Sequence, residues 1–80
     1  MTATPNPIDV HVGRRLRAMR QAKEMSQSRL GDVLGITFQQ VQKYENGQNR
    51  ISASKLYEAA RTLDVPVGCF FEGIGEQVAS

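Results

Sequence analysis

The sequence is poor in the residues that build disulfides, metal sites and catalytic centres. It holds one cysteine and one histidine in 80 residues. Cys69 therefore cannot close an internal disulfide, and His11 has no cysteine, acid or second histidine at ligand spacing, so no metal site is expected. A reducing, cytoplasmic setting is the expectation that follows. No apolar run approaches the roughly 18 residues a membrane span needs, and the opening MTATPNPIDV lacks the charged and apolar regions of a signal peptide. A soluble, unexported chain with no membrane contact is expected. There is no defensible pair of carboxylates and no glycine loop to cradle a phosphate, which removes the usual equipment of catalysis. Neither an enzyme nor a cofactor is expected. Internal repeats and low-complexity tracts are also absent.

What remains is the composition of one small globular domain, 40% hydrophobic and 22% charged. A core of this size is marginal unless helix packing is efficient or a partner helps. The net charge of +2 is small but unevenly spread. Between Arg14 and Arg50 there are eight basic residues (Arg14, Arg15, Arg17, Arg20, Lys23, Arg29, Lys43 and Arg50) against Glu24, Asp32 and Glu45. From Asp64 onward there are acids and no base. The positive charge thus lies in and before one central stretch.

That stretch, Ser26 to Gly47, reads as two short helices joined by a sharp turn. Leu30, Val33 and Leu34 fall at helical spacing, with Ser26 as N-cap before them. Gly35 follows where a helix ends most easily in a left-handed conformation. Thr37 caps a second helix in which Val41 and Tyr44 face inward, while Phe38, Gln39, Gln40, Gln42 and Lys43 occupy the other faces. Gly31 supplies the small residue that two steeply crossing helices need.

The rest of the chain is read around this unit. Residues 1–8 form a flexible arm, and a helix runs from about Asp9, its expected cap, to about Glu24 with Val12, Leu16 and Met19 buried. The other faces of that helix carry Arg14, Arg15, Arg17, Arg20 and Lys23, which are either a solvated surface or within reach of phosphates. His11 is expected at the surface or partly buried in a structural role. The loop Asn46 to Ser52 is polar except for Ile51, which plugs the core. Ser52 or Ser54 starts a helix through Leu63, with Leu56, Ala59, Ala60 and Leu63 inward and Tyr57 in the core or at its rim. Pro66 opens a last short helix bearing Val67, Phe70 and Phe71. Phe70 closes the core, Phe71 with Val67 offers an interface between subunits, and Cys69 is a small, buried or half-buried hydrophobe. Residues 73–80 form a flexible tail or the start of a linker, leaving 9–72 as the domain.

Ser26-Gln27 opening the first motif helix, Tyr44-Glu45-Asn46-Gly47 closing the second, and the ordered set Leu30, Gly31, Gly35, Ile36, Val41 and Tyr44 between them resemble the helix-turn-helix of the phage repressor and Cro family. The resemblance extends over about Val12 to Phe71. It implies an all-α, compact five-helix, lambda-repressor-like DNA-binding domain with the motif as helices 2 and 3. Two positions depart from the family pattern: Gly31, where alanine is usual, and Phe38, where a polar or small residue is more frequent.

By that resemblance the second motif helix enters the major groove, with Thr37, Phe38, Gln39 and Lys43 facing bases. Gln39 suits an adenine edge, Lys43 a guanine, and Thr37 or Phe38 a thymine methyl. Gln27 touches the DNA backbone and braces the recognition helix, and Gln40, Asn46, Asn49, Arg50 and Arg17 are offered to phosphates. The function implied is a sequence-specific transcriptional regulator, by that analogy a repressor, binding a palindromic operator as a homodimer. The alternative is an interaction module of the same fold, such as an antitoxin-like partner of another protein.

Overall fold

The computed structural model describes residues 5–75. The first half of the expected arm and the tail from residue 76 lie outside them. Among the described residues there are four α-helices, α1 (Pro7–Ala22), α2 (Gln27–Leu34), α3 (Phe38–Glu45) and α4 (Ala53–Leu63), followed by a 3₁₀ segment, Val67–Phe71. The all-helical reading holds, but the fifth helix does not. Pro66 lies just outside the segment as its N-cap, and Cys69 N bonds Pro66 O at 3.0 Å, the tighter three-residue closure. Five residues, one of them Gly68, leave no room for an α-helical ladder.

The helix ends follow local chemistry. Asn6, not Asp9, caps α1, its Oδ1 accepting from Ile8 N at 2.8 Å, with Pro7 pre-set for the first turn. Pro7 and Ile8 are therefore helical, and Asp9 turns to another partner described below. α1 stops at Ala22, short of Glu24, which takes a positive φ of 54°. Ser26 Oγ accepts from Arg29 N at 3.0 Å, Thr37 Oγ1 from Gln40 N at 3.1 Å, and Ser52 Oγ from Lys55 N at 3.2 Å. Ser52 is thus the cap of α4. Gly35 ends α2 at φ 71°, and Lys55 Nζ donates to Leu34 O at 2.6 Å, placing a cation where the α2 carbonyls end.

The core is Leu16, Leu30, Leu34, Val41, Leu63 and Phe70, all essentially inaccessible, completed by Val12, Met19, Leu56, Ala59 and Ala60. Tyr44, Ile51 and Cys69 are half-buried against it, and Tyr57 is on the outside. Val33 was expected inside and is 44% exposed. Leu30 and Leu34, four apart, define the buried stripe of an eight-residue helix too narrow to include its neighbour at 33.

Two glycines set the spacing of the helices. At Gly31 a Cβ would stand 2.8 Å from Ile36 O, so the turn packs directly on α2. At Gly13, in the middle of α1, it would collide with Tyr44 O and lie 2.8 Å from Glu45 O. α1 and the end of α3 therefore meet backbone to backbone. His11 is buried, against the expectation of a surface or partly buried place. Its Nε2 stands 2.6 Å from Glu72 O and must be the donor, because a carbonyl only accepts.

Candidate nucleic-acid interface

α3 presents one end to solvent and has the other fixed. Thr37, Phe38 and Gln39 are exposed in its first turn, and Lys43 is exposed one turn further on. The four expected base-facing residues are therefore all open to solvent. Thr37 Oγ1 accepts the cap bond from Gln40 N, which leaves its hydroxyl hydrogen available to donate.

The far end of α3 is held by a network absent from the sequence reading. Arg20 Nε lies 2.5 Å from Glu45 Oε2, and Nη2 lies 3.1 Å from Oε1. The side chains are 10% and 4% exposed. Arg20 Nη1 also donates to Met25 O at 2.7 Å, which ties in the chain between α1 and α2. Gln27 Nε2 donates to Glu45 Oε1 at 2.9 Å, and Gln42 Nε2 donates to Gln27 Oε1 at 3.1 Å. Three helices thus converge on one carboxylate. The bracing expected of Gln27 is present in these bonds, and its amide retains one hydrogen beyond the bond to Glu45.

Arg20, expected among the outward bases of α1, is buried instead. One signal could have separated it: positions 12, 16, 19 and 20 follow the i, i+4, i+7, i+8 pattern of a buried stripe. Its partner, 25 residues away, carries no local signal. Arg15 is also engaged, donating to Cys69 O at 2.8 Å and pairing with Glu72 at 3.3 Å. Arg14 and Arg17 stay exposed and, with Val10, Gln27, Gln42, Glu45 and Asn46, line a shallow groove of about 440 Å³. Arg17, Gln27 and Asn46, three of the expected phosphate contacts, are brought together here. Arg14, outside that expected set, lines the same groove.

The remaining phosphate candidates lie apart from this groove. Gln40 is half-buried and donates to Asn49 Oδ1 at 3.1 Å, so each amide occupies the other. Arg50 Nε sits 3.1 and 3.2 Å from the two oxygens of Asp9. An exposed pair of this kind is worth about 1 kcal/mol or less, small enough to yield to a phosphate. Val67 and Phe71 are 37% and 40% exposed in the same 3₁₀ segment that buries the core-filling Phe70. Among the described residues no cluster of three or more His, Cys, Asp or Glu could hold a metal, and no helix is long and apolar enough to cross a membrane.

Such an arrangement can seat a short rigid helix in a groove, with apolar and amide groups leading and arginines at its flank. Comparison with known proteins gives the same outline. A family model described as helix-turn-helix matches residues 16–68. An uncharacterized HTH-type transcriptional regulator of Sinorhizobium medicae is 59% identical over 68 residues, covering 85% of this chain and 49% of that protein. The chain thus spans about half the length of this curated relative. The restriction-modification controller protein C.AhdI from Aeromonas hydrophila superposes with a TM-score of 0.73 at 34% identity, over 78% of this chain and 94% of that one. The P22 c2 repressor protein, crystallised in complex with a synthetic operator, superposes with a TM-score of 0.70 over 78% of this chain and 94% of its own. At 21% identity that likeness speaks for the fold alone.

Proposed function

Because this chain belongs to the helix-turn-helix family of phage-repressor and Cro type, we propose that it is a sequence-specific DNA-binding transcriptional regulator. It acts as a repressor, bound as a homodimer to a palindromic operator, and performs no chemistry of its own. The observation that carries this reading is the asymmetry of α3, whose first turn exposes Thr37, Phe38 and Gln39 while its last turn is clamped through Glu45. A side chain can report on a base edge only if its helix cannot roll, and the clamp removes that freedom.

Within this reading Thr37, Phe38, Gln39 and Lys43 face bases. Arg14, Arg17, Gln27 and Asn46 hold one stretch of backbone, and Asn49 and Arg50 meet the next. Gln40 acts through Asn49. Phosphate contacts fix register and supply most of the salt-dependent affinity, whereas base contacts supply choice. Val67 and Phe71 give a second copy an apolar place to dock, so that two recognition helices fall about one helical turn apart on one face of the duplex. The cytoplasm, where the DNA is, is the compartment this function needs.

Selection from a random DNA library, followed by titration of the selected site against unrelated duplex across a salt series, tests the proposal. A shared palindromic motif bound at least about a thousandfold more tightly than unrelated DNA is the expected result. Weak, salt-sensitive binding without a motif would overturn it in favour of the protein-interaction reading.

A further inference from the structure

Asp9, in the first turn of α1, and Arg50, in the loop after α3, form an ion pair in which both Asp9 oxygens stand 3.1 and 3.2 Å from Arg50 Nε. Among the described residues three arginines have a carboxylate partner, and this pair differs from the other two. The Arg20 side chain is 10% exposed and held inside with Glu45, and Arg15, at 32%, is also fixed to Cys69 O. The Arg50 side chain is 72% exposed, whereas that of its acid is only 16% exposed. The acid is therefore the fixed member and the base the movable one. The unpaired amides at the start of α1 favour an anion at Asp9. On its other side lies a hollow of about 220 Å³ walled by Ile8, Val12, Ile51, Leu56 and Phe71, which offer no second cation.

An aspartate in this place does to Arg50 what a phosphate would do. While the carboxylate stays on Nε the pair carries no net charge, so a phosphate drawing near meets a neutral dipole in place of a cation and releases no counterion on its account. To neutralise a phosphate, Arg50 has to leave Asp9, and the carboxylate left behind repels that same phosphate. We infer that Asp9 is a positioning residue with an inhibitory effect: it occupies Arg50 as an internal stand-in for DNA phosphate and holds down the affinity for every duplex. The inference rests on the DNA-binding reading above. It adds that the level of binding and the choice of sequence are set by different residues, because Asp9 acts on operator and unrelated DNA alike.

The test is titration of the full chain against unrelated duplex and against the selected operator, each across a salt series, with Asp9→Asn, which keeps the shape and removes the charge. Affinity for both duplexes should rise by up to about fivefold per chain, the fold-change that corresponds to the ceiling of about 1 kcal/mol for an exposed pair. On unrelated duplex the slope of log affinity against log salt should steepen by up to about 0.9, one further phosphate neutralised. With Arg50→Ala already in place, Asp9→Asn should leave that slope unchanged, since no base remains to be released. An equal steepening there would reduce Asp9 to one acid among others and overturn the inference, as would an Asp9→Asn chain that binds no more tightly than the unaltered one. Weaker binding by a folded Asp9→Asn chain would overturn it in the opposite sense, making Asp9 a support for Arg50. The unaltered chain supplies a reading that needs no variant to fold: the Arg50 Nε–H proton resonance should shift when operator is added, as the carboxylate gives it up, and an unmoved resonance would overturn the inference. All these outcomes leave the DNA-binding reading intact. An unaltered chain that binds neither duplex at low salt would overturn both.

Discussion

The Arg20 guanidinium and the Glu45 carboxylate form a buried, two-contact joint between the last turn of α1 and the last turn of α3. Such a pair contributes little net stability, because desolvating both charges offsets their attraction. Its consequence is geometric. Gln27 hangs from the same carboxylate and Gln42 from Gln27, so the roll of α3 is tied to the groove that Arg14 and Arg17 line.

Removing one charge and removing both should therefore differ in their cost to stability but not in their effect on operator binding. Arg20→Met leaves Glu45 buried without its partner and should cost about 3 to 5 kcal/mol in urea unfolding. The double variant Arg20→Met with Glu45→Leu should recover most of that loss, since no charge remains inside. Its operator affinity should nevertheless stay low, because Gln27 has lost its acceptor. Simple additivity of the two single losses would show that the residues are not coupled.

Contacts to bases and to phosphates should separate in titrations. Gln39→Ala should relax preference at one base pair and cost about 1 to 3 kcal/mol on the operator only. Arg17→Ala should weaken every duplex by a similar factor and lower the slope of log affinity against log salt by about 0.9. Arg50→Ala should do less than Arg17→Ala, because Arg50 must first leave Asp9. Equal loss on all sequences for Gln39→Ala would remove it from the base-reading set.

Much of this was open to reading along the chain, and the part that was not has a common cause. Ser26, Thr37 and Gly35 act on atoms within four residues of themselves, so caps and the turn are written locally. The core stripes of α1 and α4 are equally local, repeating at helical spacing. Arg20 with Glu45, Arg15 with Cys69 and His11 with Glu72 join residues 25, 54 and 61 apart, where pairing depends on how helices cross. The 3₁₀ segment escaped for another reason: apolar residues after a proline fit an α-helical turn and a tighter one alike.

Gly13 shows how a residue can mislead when only its own helix is considered. Alanine there should gain about 1 kcal/mol of helix propensity. Yet its Cβ would meet the backbone oxygens of Tyr44 and Glu45, which cannot rotate away as a side chain does. Gly13→Ala should thus destabilise the domain by up to about 2 kcal/mol net, the propensity gain of about 1 kcal/mol subtracted from an overpacking cost of about 1 to 3 kcal/mol. A raised thermal midpoint would mean that α1 and α3 can separate at little cost. The same variant should weaken operator binding beyond its effect on folding, since α3 would shift against Arg14 and Arg17.

The adjacent phenylalanines make opposite demands and can be tested as a pair. Phe70 is fully enclosed, so Phe70→Ala should cost about 3 to 5 kcal/mol and leave little folded protein. Phe71 is 40% exposed beside Val67, so Phe71→Glu should leave the monomer's unfolding midpoint nearly unchanged. Its effect should appear in sedimentation velocity as a shift from dimer to monomer, because a carboxylate placed in an apolar contact has to be desolvated twice over, once from each copy. Operator binding should then become weaker and lose its cooperativity, while binding to an isolated half-site changes little. A Phe71→Glu chain that still sediments as a dimer would move the interface elsewhere, and Tyr57, 54% exposed on α4, is the next large apolar side chain to examine.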